Sequence, residues 1–74
     1  MRFICDMKNI VIRDEFIKLG QALKLAGAVE TGVEAKIEIE AGNAKVNDEI
    51  DTRRGRKCYK GDVITFKGEQ YIIK

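Results

Sequence analysis

The segment between Thr31 and Gly42 constrains the fold most, because two local signals in it predict different secondary structures. Apolar and charged residues alternate strictly along its length, which is typical of a half-buried strand. Thr31 and Glu34, however, have the spacing of a capping box, in which the Thr hydroxyl accepts from a backbone N–H and the Glu reaches back to the cap. Gly42 stands where a helix can end in a left-handed residue. Since Glu, Ala and Lys also fill the interior, we predict a helix over residues 32–41.

The remaining segments predict one more helix and several short strands. Residues 15–26 carry apolar side chains at intervals of three and four, which indicates an amphipathic helix that ends at Gly27. Residues 44–51 predict a hairpin around Asn47-Asp48. Further strands are predicted over residues 9–13, 62–66 and 71–73. We therefore expect an α+β fold, in which two N-terminal helices pack on a small, mostly antiparallel sheet of roughly three to five short strands.

The size and composition of the chain favour a binding module over an enzyme. Its 74 residues suffice for a single domain, residues 1–74, with one small core. The sequence contains no His and no Ser, which removes Ser-His and Cys-His nucleophiles and an imidazole base. The carboxylates of Glu34, Glu38 and Glu40 have a pattern that any exposed face could show. We expect no catalytic residue and no cofactor.

The two cysteines, Cys5 and Cys58, do not indicate a metal site. They are far apart, form no Cys-x-x-Cys motif and have no His beside them, so we expect neither zinc nor a redox motif. The sequence shows no signal peptide or membrane-spanning run, and we expect a cytoplasmic protein with reduced thiols. Both cysteines are predicted to be small buried apolar residues.

Positive charge is concentrated in the last third of the chain. Residues 1–52 contain seven Lys and Arg against ten Asp and Glu, a balance of −3, whereas residues 53–74 contain seven against two, a balance of +5. Residues 53–60, which we call the basic loop, hold five cations and no acid in eight positions. Such a segment attracts polyanions, and nucleic acid is the commonest of these in the cytosol.

The order of these motifs resembles the S4 domain, a small RNA-binding domain named after ribosomal small-subunit protein four and also called the αL motif. The resemblance covers about residues 15–66 and is greatest to short bacterial members. Three fragments carry it: residues 19–24 read Leu-Gly-Gln-Ala-Leu-Lys, residues 32–36 read Gly-Val-Glu-Ala-Lys, and residues 52–57 read Thr-Arg-Arg-Gly-Arg-Lys. Gly32 departs from the pattern, since many members carry Arg at that position.

The resemblance implies two helices in an L and a basic face that binds structured RNA, ribosomal or transfer, or a ribosomal particle. The expected RNA-binding residues are Lys18, Lys24, Lys36, Lys45, Arg53, Arg54, Arg56, Lys57 and Lys60. Tyr59 could stack on an unpaired base or simply pack against the protein. Gly55 could bring the loop backbone close to RNA or supply a turn.

One alternative function comes from a different class of protein. The basic loop could dock on an acidic protein, which would make the chain a ribosome-associated adaptor. Glu34, Glu38 and Glu40 favour this hypothesis slightly, because carboxylates on a binding face would repel RNA. A membrane-surface protein is disfavoured, since no predicted helix combines a wide apolar face with a basic one.

Overall fold

The computed structural model describes residues 8–74, which form two short helices and seven strands in two sheets. In chain order the elements are β1 (Lys8–Ile10), β2 (Phe16–Lys18), α1 (Leu19–Leu25), α2 (Gly32–Glu40), β3 (Ala44–Val46), β4 (Glu49–Ile50), β5 (Lys57–Tyr59), β6 (Val63–Phe66) and β7 (Glu69–Ile73). The α+β class is confirmed. The described part of the chain nevertheless has more strands than predicted, and two of them precede α1, so the helices are not N-terminal.

The larger sheet joins the two ends of the described chain. Its strand order is β1-β7-β6-β3-β4, with β1 parallel to β7 and every other neighbouring pair antiparallel. β1 is shorter than the strand predicted over residues 9–13, because its pairing with β7 ends at Ile10 opposite Ile73. The second sheet is the two-stranded antiparallel pair β2–β5.

Helix α2 follows the capping signals rather than the alternating pattern. The Thr31 hydroxyl accepts a hydrogen bond from the Glu34 N–H at 3.0 Å, and Gly42 is left-handed at φ 85°. The Glu34 carboxylate accepts from the N–H of Glu30 at 2.9 Å, one residue before the cap, so the capping box is not reciprocal. Local chemistry therefore outweighs periodicity in this segment.

Helix α1 is shorter than predicted, because residues 16–18 form strand β2. Phe16, Ile17 and Lys18 pair with Tyr59, Cys58 and Lys57 of β5. This pairing turns Ile17 toward the core beside fully buried Cys58. A strand partner some forty positions away thus overrides the local helical spacing.

The hairpin β3–β4 turns at the predicted residues. Asn47 and Asp48 both have positive φ, 53° and 71°, as a type I′ turn requires. The hairpin ends earlier than predicted, since β4 stops at Ile50 and Asp51 enters the interior with only 6% of its surface exposed.

One hydrophobic core lies between the helices and the larger sheet. Leu19, Leu23 and Ile39 from the helices pack with apolar residues of the sheet, among them Ile64 and Ile73. Within residues 8–74 no helix is long and apolar enough to cross a membrane. Because Leu19 and Leu23 lie in this core, it fixes the position of α1. The basic loop is hydrogen-bonded to the start of this helix.

Candidate nucleic-acid interface

The backbone of the basic loop closes the first turn of α1. A helix begins with N–H groups that have no acceptor inside the helix, and the residue before α1, Lys18, provides no side-chain cap. The carbonyl of Arg56 accepts from the Leu19 N–H at 2.8 Å, and the carbonyl of Arg54 accepts from the Gly20 N–H at 3.0 Å. The loop is therefore attached to the helix by its main chain, which leaves its side chains free of this contact.

Buried Asp51 binds two of the five cations. Its carboxylate accepts from the backbone and guanidinium nitrogens of Arg53 at 2.9–3.1 Å and from Arg56 at 2.7 Å. The hydrogen bonds from Arg53, aided by Arg56, outweigh the opposing effect of burial and hold the pKa of Asp51 well below its usual range. The same hydrogen bonds raise the pKa values of both arginines. Arg53 and Arg56 thus fix the shape of the loop and are partly neutralised.

The other three cations of the basic loop make no ion pair within residues 8–74. Arg54 lies in the loop itself, whereas Lys57 belongs to β5 and Lys60 follows it, so the predicted loop is in part a strand. Arg54, Lys57 and Lys60 therefore supply the unpaired positive charge of the basic loop.

A concave surface beside α1 brings Arg54 together with two of the predicted lysines. This surface, the basic cleft, has a volume of about 330 Å³. It is lined by Lys18, Gly20, Gln21, Lys24, Gly32, Arg54 and Gly55. Its lining thus contains three cations and no carboxylate. Gly32 contributes the first turn of α2, whose N-terminal end carries partial positive charge. The basic cleft can therefore accept a phosphate from several sides.

Gly20 allows Arg54 to lie against α1. A Cβ atom at position 20 would be 2.7 Å from Cγ and 3.3 Å from Cδ of Arg54. The sequence carried a signal for this contact, because a glycine inside the helix predicted over residues 15–26 lowers helix propensity without an evident reason. The role of Asp51 was also missed, although an acid two positions before a run of cations is placed to pair with them.

Four predicted lysines lie outside the lining of the basic cleft, and two of them, Lys36 and Lys57, neighbour residues that line it. Lys36 is exposed on α2 one turn after Gly32, on the same side of the helix. Lys57 stands directly opposite Lys18 in the β2–β5 pair. Lys45 points away from the core between buried Ala44 and Val46, on the face of the larger sheet that the helices do not cover. The structure does not bring Lys45 together with the others.

Two of the three carboxylates of α2 have local structural partners. Glu34 bonds Glu30 as described above, and Glu38 accepts from Asn43 at 2.7 Å and from Lys67 at 3.2 Å. These contacts, with that of Asn43 the strongest, lower the pKa of Glu38. Neither glutamate lines the basic cleft. Both carboxylates are therefore bonded to other groups of the protein and add no negative charge to the lining of the basic cleft.

Cys58 is a fully buried apolar residue, as predicted. Burial, with a smaller effect of Asp62, raises the pKa of its thiol to about 11. The corresponding prediction for Cys5 falls outside the described residues. Within residues 8–74 no group of three His, Cys, Asp or Glu side chains is placed to hold a metal ion.

Comparison with known proteins places this architecture in a family. The family model of the S4 domain matches residues 10–74. The chain belongs to the S4 domain family. It is similar to a probable ribosome maturation protein, RlbA of Bacillus subtilis (strain 168), with 49% identity over 59 residues that cover 80% of this chain and 83% of RlbA.

A second S4 relative has a solved structure. The chain is 38% identical to YbcJ of Escherichia coli (strain K12), named as a candidate RNA-binding protein, over 57 residues that cover 77% of this chain and 81% of YbcJ. The solution structure of YbcJ, described as revealing an αL motif involved in RNA binding, aligns with a TM-score of 0.72 and 28% identity. That alignment covers 99% of this chain and 94% of YbcJ. The likeness extends through both helices and both sheets.

Proposed function

We propose that this protein binds structured RNA through the basic cleft. The observation that carries the proposal is the convergence of Lys18, Lys24 and Arg54, from three different parts of the fold, on one concave surface without a carboxylate. The names of the relatives RlbA and YbcJ support it. Ribosomal RNA, free or in a ribosomal particle, is the preferred target, since the relative at 49% identity is named for ribosome maturation. The proposed place of action is the cytoplasm.

The mode of binding follows from the geometry of RNA. Side chains cannot read the narrow major groove of an A-form helix, so a compact module binds by shape and by phosphate and 2′-hydroxyl contacts. The Arg54 guanidinium can grip a phosphate with two parallel hydrogen bonds, and the lysines contribute point charges. The affinity of the basic cleft for RNA is therefore expected to depend only weakly on base sequence.

The pairing of Lys18 with Lys57 is a second feature that suits a phosphate. Two like charges directly opposite each other on neighbouring strands destabilise the pair. A bound phosphate between them would remove this repulsion. The proposed site therefore consists of Lys18, Lys24 and Arg54, with Lys36 and Lys57 beside it and with Arg53 and Arg56 holding the loop. Lys60 lies beyond the far end of the β2–β5 pair, and Lys45 lies on another face.

The proposal is tested by comparing polyanions of different shape. Fluorescence anisotropy is measured with a hairpin RNA from ribosomal RNA, a duplex DNA of equal length and heparin, each titrated at several salt concentrations. Tighter binding to the RNA than to the others is expected. A log–log salt slope of about −3 to −5 is also expected, at roughly 0.9 per neutralised phosphate on the B-DNA scale. Equal binding to all three would mean that the cleft binds polyanions in general and has no preference for RNA. No binding to any of them would favour the adaptor hypothesis.

A further inference from the structure

A second concave surface lies at the other end of the β2–β5 pair. It has a volume of about 550 Å³ and is open to solvent. It is lined by Arg13, Asp14, Glu15, Tyr59 and Lys60, and we call it the Tyr59 cleft. Its volume lies in the range that accommodates small organic ligands. In contrast to the basic cleft, it contains two carboxylates beside its two cations.

Tyr59 is presented to this cleft by a rigid support. The side chains of Phe16, Lys18, Lys57 and Tyr59 lie on one face of the β2–β5 pair, while Ile17 and Cys58 face the core. The Phe16 ring packs against the Tyr59 ring at a centroid distance of 5.9 Å and a tilt of 55°. Tyr59 is nonetheless 48% exposed. Part of this aromatic ring is therefore held in place without being covered.

The exposed ring suited to an added base is that of Tyr59 rather than Phe16. The ammonium of Lys57 already lies over the Phe16 ring, 4.8 Å from its centroid, and Phe16 is half-buried. An aromatic ring that is fixed on one side and exposed on the other stacks a nucleobase at low entropic cost.

The charges that line the two clefts suit different parts of a nucleotide, the phosphate and the base. The basic cleft has cations alone, which suits phosphate. In the Tyr59 cleft, Asp14 and Glu15 would repel a phosphate but can accept hydrogen bonds from the amino and ring N–H groups of a base. Lys18, which lines the basic cleft, and Lys57 opposite it lie about 6.8 Å along the strands from Phe16 and Tyr59. A phosphate held by these lysines would bring the adjoining base to Tyr59.

We propose that the Tyr59 cleft binds one unpaired nucleotide of an RNA whose paired stem is held at the basic cleft by its phosphates. The inference rests on the proposed function and makes it more specific. The preferred RNA then has a bulge or a single-stranded junction beside its helix, and recognition has two parts. The stem is bound by its phosphates, and the extruded base stacks on Tyr59 between groups that can pair with its polar edge.

The test uses two hairpin RNAs, one with a fully paired stem and one with a single bulged 2-aminopurine in the same stem. The wild-type protein should bind the bulged hairpin at least about fivefold more tightly, the lower end of the effect of one stacked base on an aromatic side chain. Tyr59→Leu should bind both hairpins with the wild-type affinity for the paired one. Tyr59→Phe, which keeps the ring, should retain the preference, and the 2-aminopurine fluorescence should change on binding only in the two proteins that have the ring.

The outcomes separate this inference from the function on which it rests. Equal wild-type affinity for the two hairpins, or a preference that survives in folded Tyr59→Leu, would overturn the nucleotide site and leave RNA binding intact. Failure to bind even the paired hairpin would overturn the proposed function. Should Tyr59→Leu lose its far-UV circular dichroism signal, the wild-type and Tyr59→Phe measurements still decide the question.

Discussion

Gly20 and Arg54 are so close that no other residue could occupy position 20 without moving the arginine, since a Cβ atom there would lie 2.7 Å from Cγ of Arg54. Replacing Gly20 with Ala should leave the free energy of unfolding within about 1 kcal/mol of wild type, because the gain in helix propensity opposes the contact. RNA binding should weaken as Arg54 is displaced from the basic cleft. In an Arg54→Gln background the Gly20→Ala substitution should have no further effect on affinity, which anisotropy titrations of the four proteins measure. Equal losses in both backgrounds would show that position 20 acts by another route.

Arg54 and Lys45 form a matched pair for testing which face meets RNA. Both are exposed cations, yet one lines the basic cleft and the other lies on the opposite side of the larger sheet. Arg54→Gln should weaken RNA binding by about tenfold or more, as expected for one charge-assisted phosphate contact. It should also reduce the magnitude of the salt slope by about one. Lys45→Gln should change the affinity less than about twofold. Similar losses in the two variants would mean that net charge alone matters.

Asp51 should stabilise the fold in a pH-dependent manner. Asp51→Asn removes an ionised acceptor that bonds Arg53 and Arg56, and should lower the free energy of unfolding by about 2 kcal/mol at pH 7. The folded-state pKa of Asp51 lies below the unfolded value of about 3.9, so its contribution is complete above that pH and is lost as the pH falls toward the folded-state pKa. Urea denaturation of both proteins should therefore show a difference that is constant from neutral pH down to about 5 and narrows below about 4.

A matched control for this measurement is Asp48→Asn. Asp48 is exposed at the β3–β4 turn with φ 71°, a conformation that Asn tolerates well, so stability should be unchanged or slightly higher. A difference between wild type and Asp51→Asn that persists unchanged to the lowest pH would contradict a role for the ionised carboxylate.

Elements with complete local signals were predicted from the sequence. The cap at Thr31, the left-handed Gly42 and the turn at Asn47-Asp48 each depend on residues within a few positions of one another, and each appears where it was expected. Locally determined features of this kind need no knowledge of the tertiary fold.

Features that depend on distant partners were not predicted. Phe16 to Lys18 carry a helical pattern and become a strand only because β5 is available to pair with them. Likewise, the run of residues 53–60 indicates positive charge, but it does not show that Arg53 and Arg56 bind Asp51 while Arg54 remains in the cleft. The charged segment is visible in the sequence, whereas tertiary packing decides which of its charges are available.

The parallel pairing of β1 with β7 links the order of synthesis to the order of folding. Strand β7 lies in the interior of the larger sheet, between β1 and β6, although it is the last of the seven described strands in chain order. The nascent chain can form α2 and the β3–β4 hairpin early, but β1 has no neighbour in the sheet until residues 71–73 emerge. The larger sheet is thus expected to be complete only after β7 has been synthesised, and a chain interrupted before β7 would leave the edges of β1 and β6 unpaired.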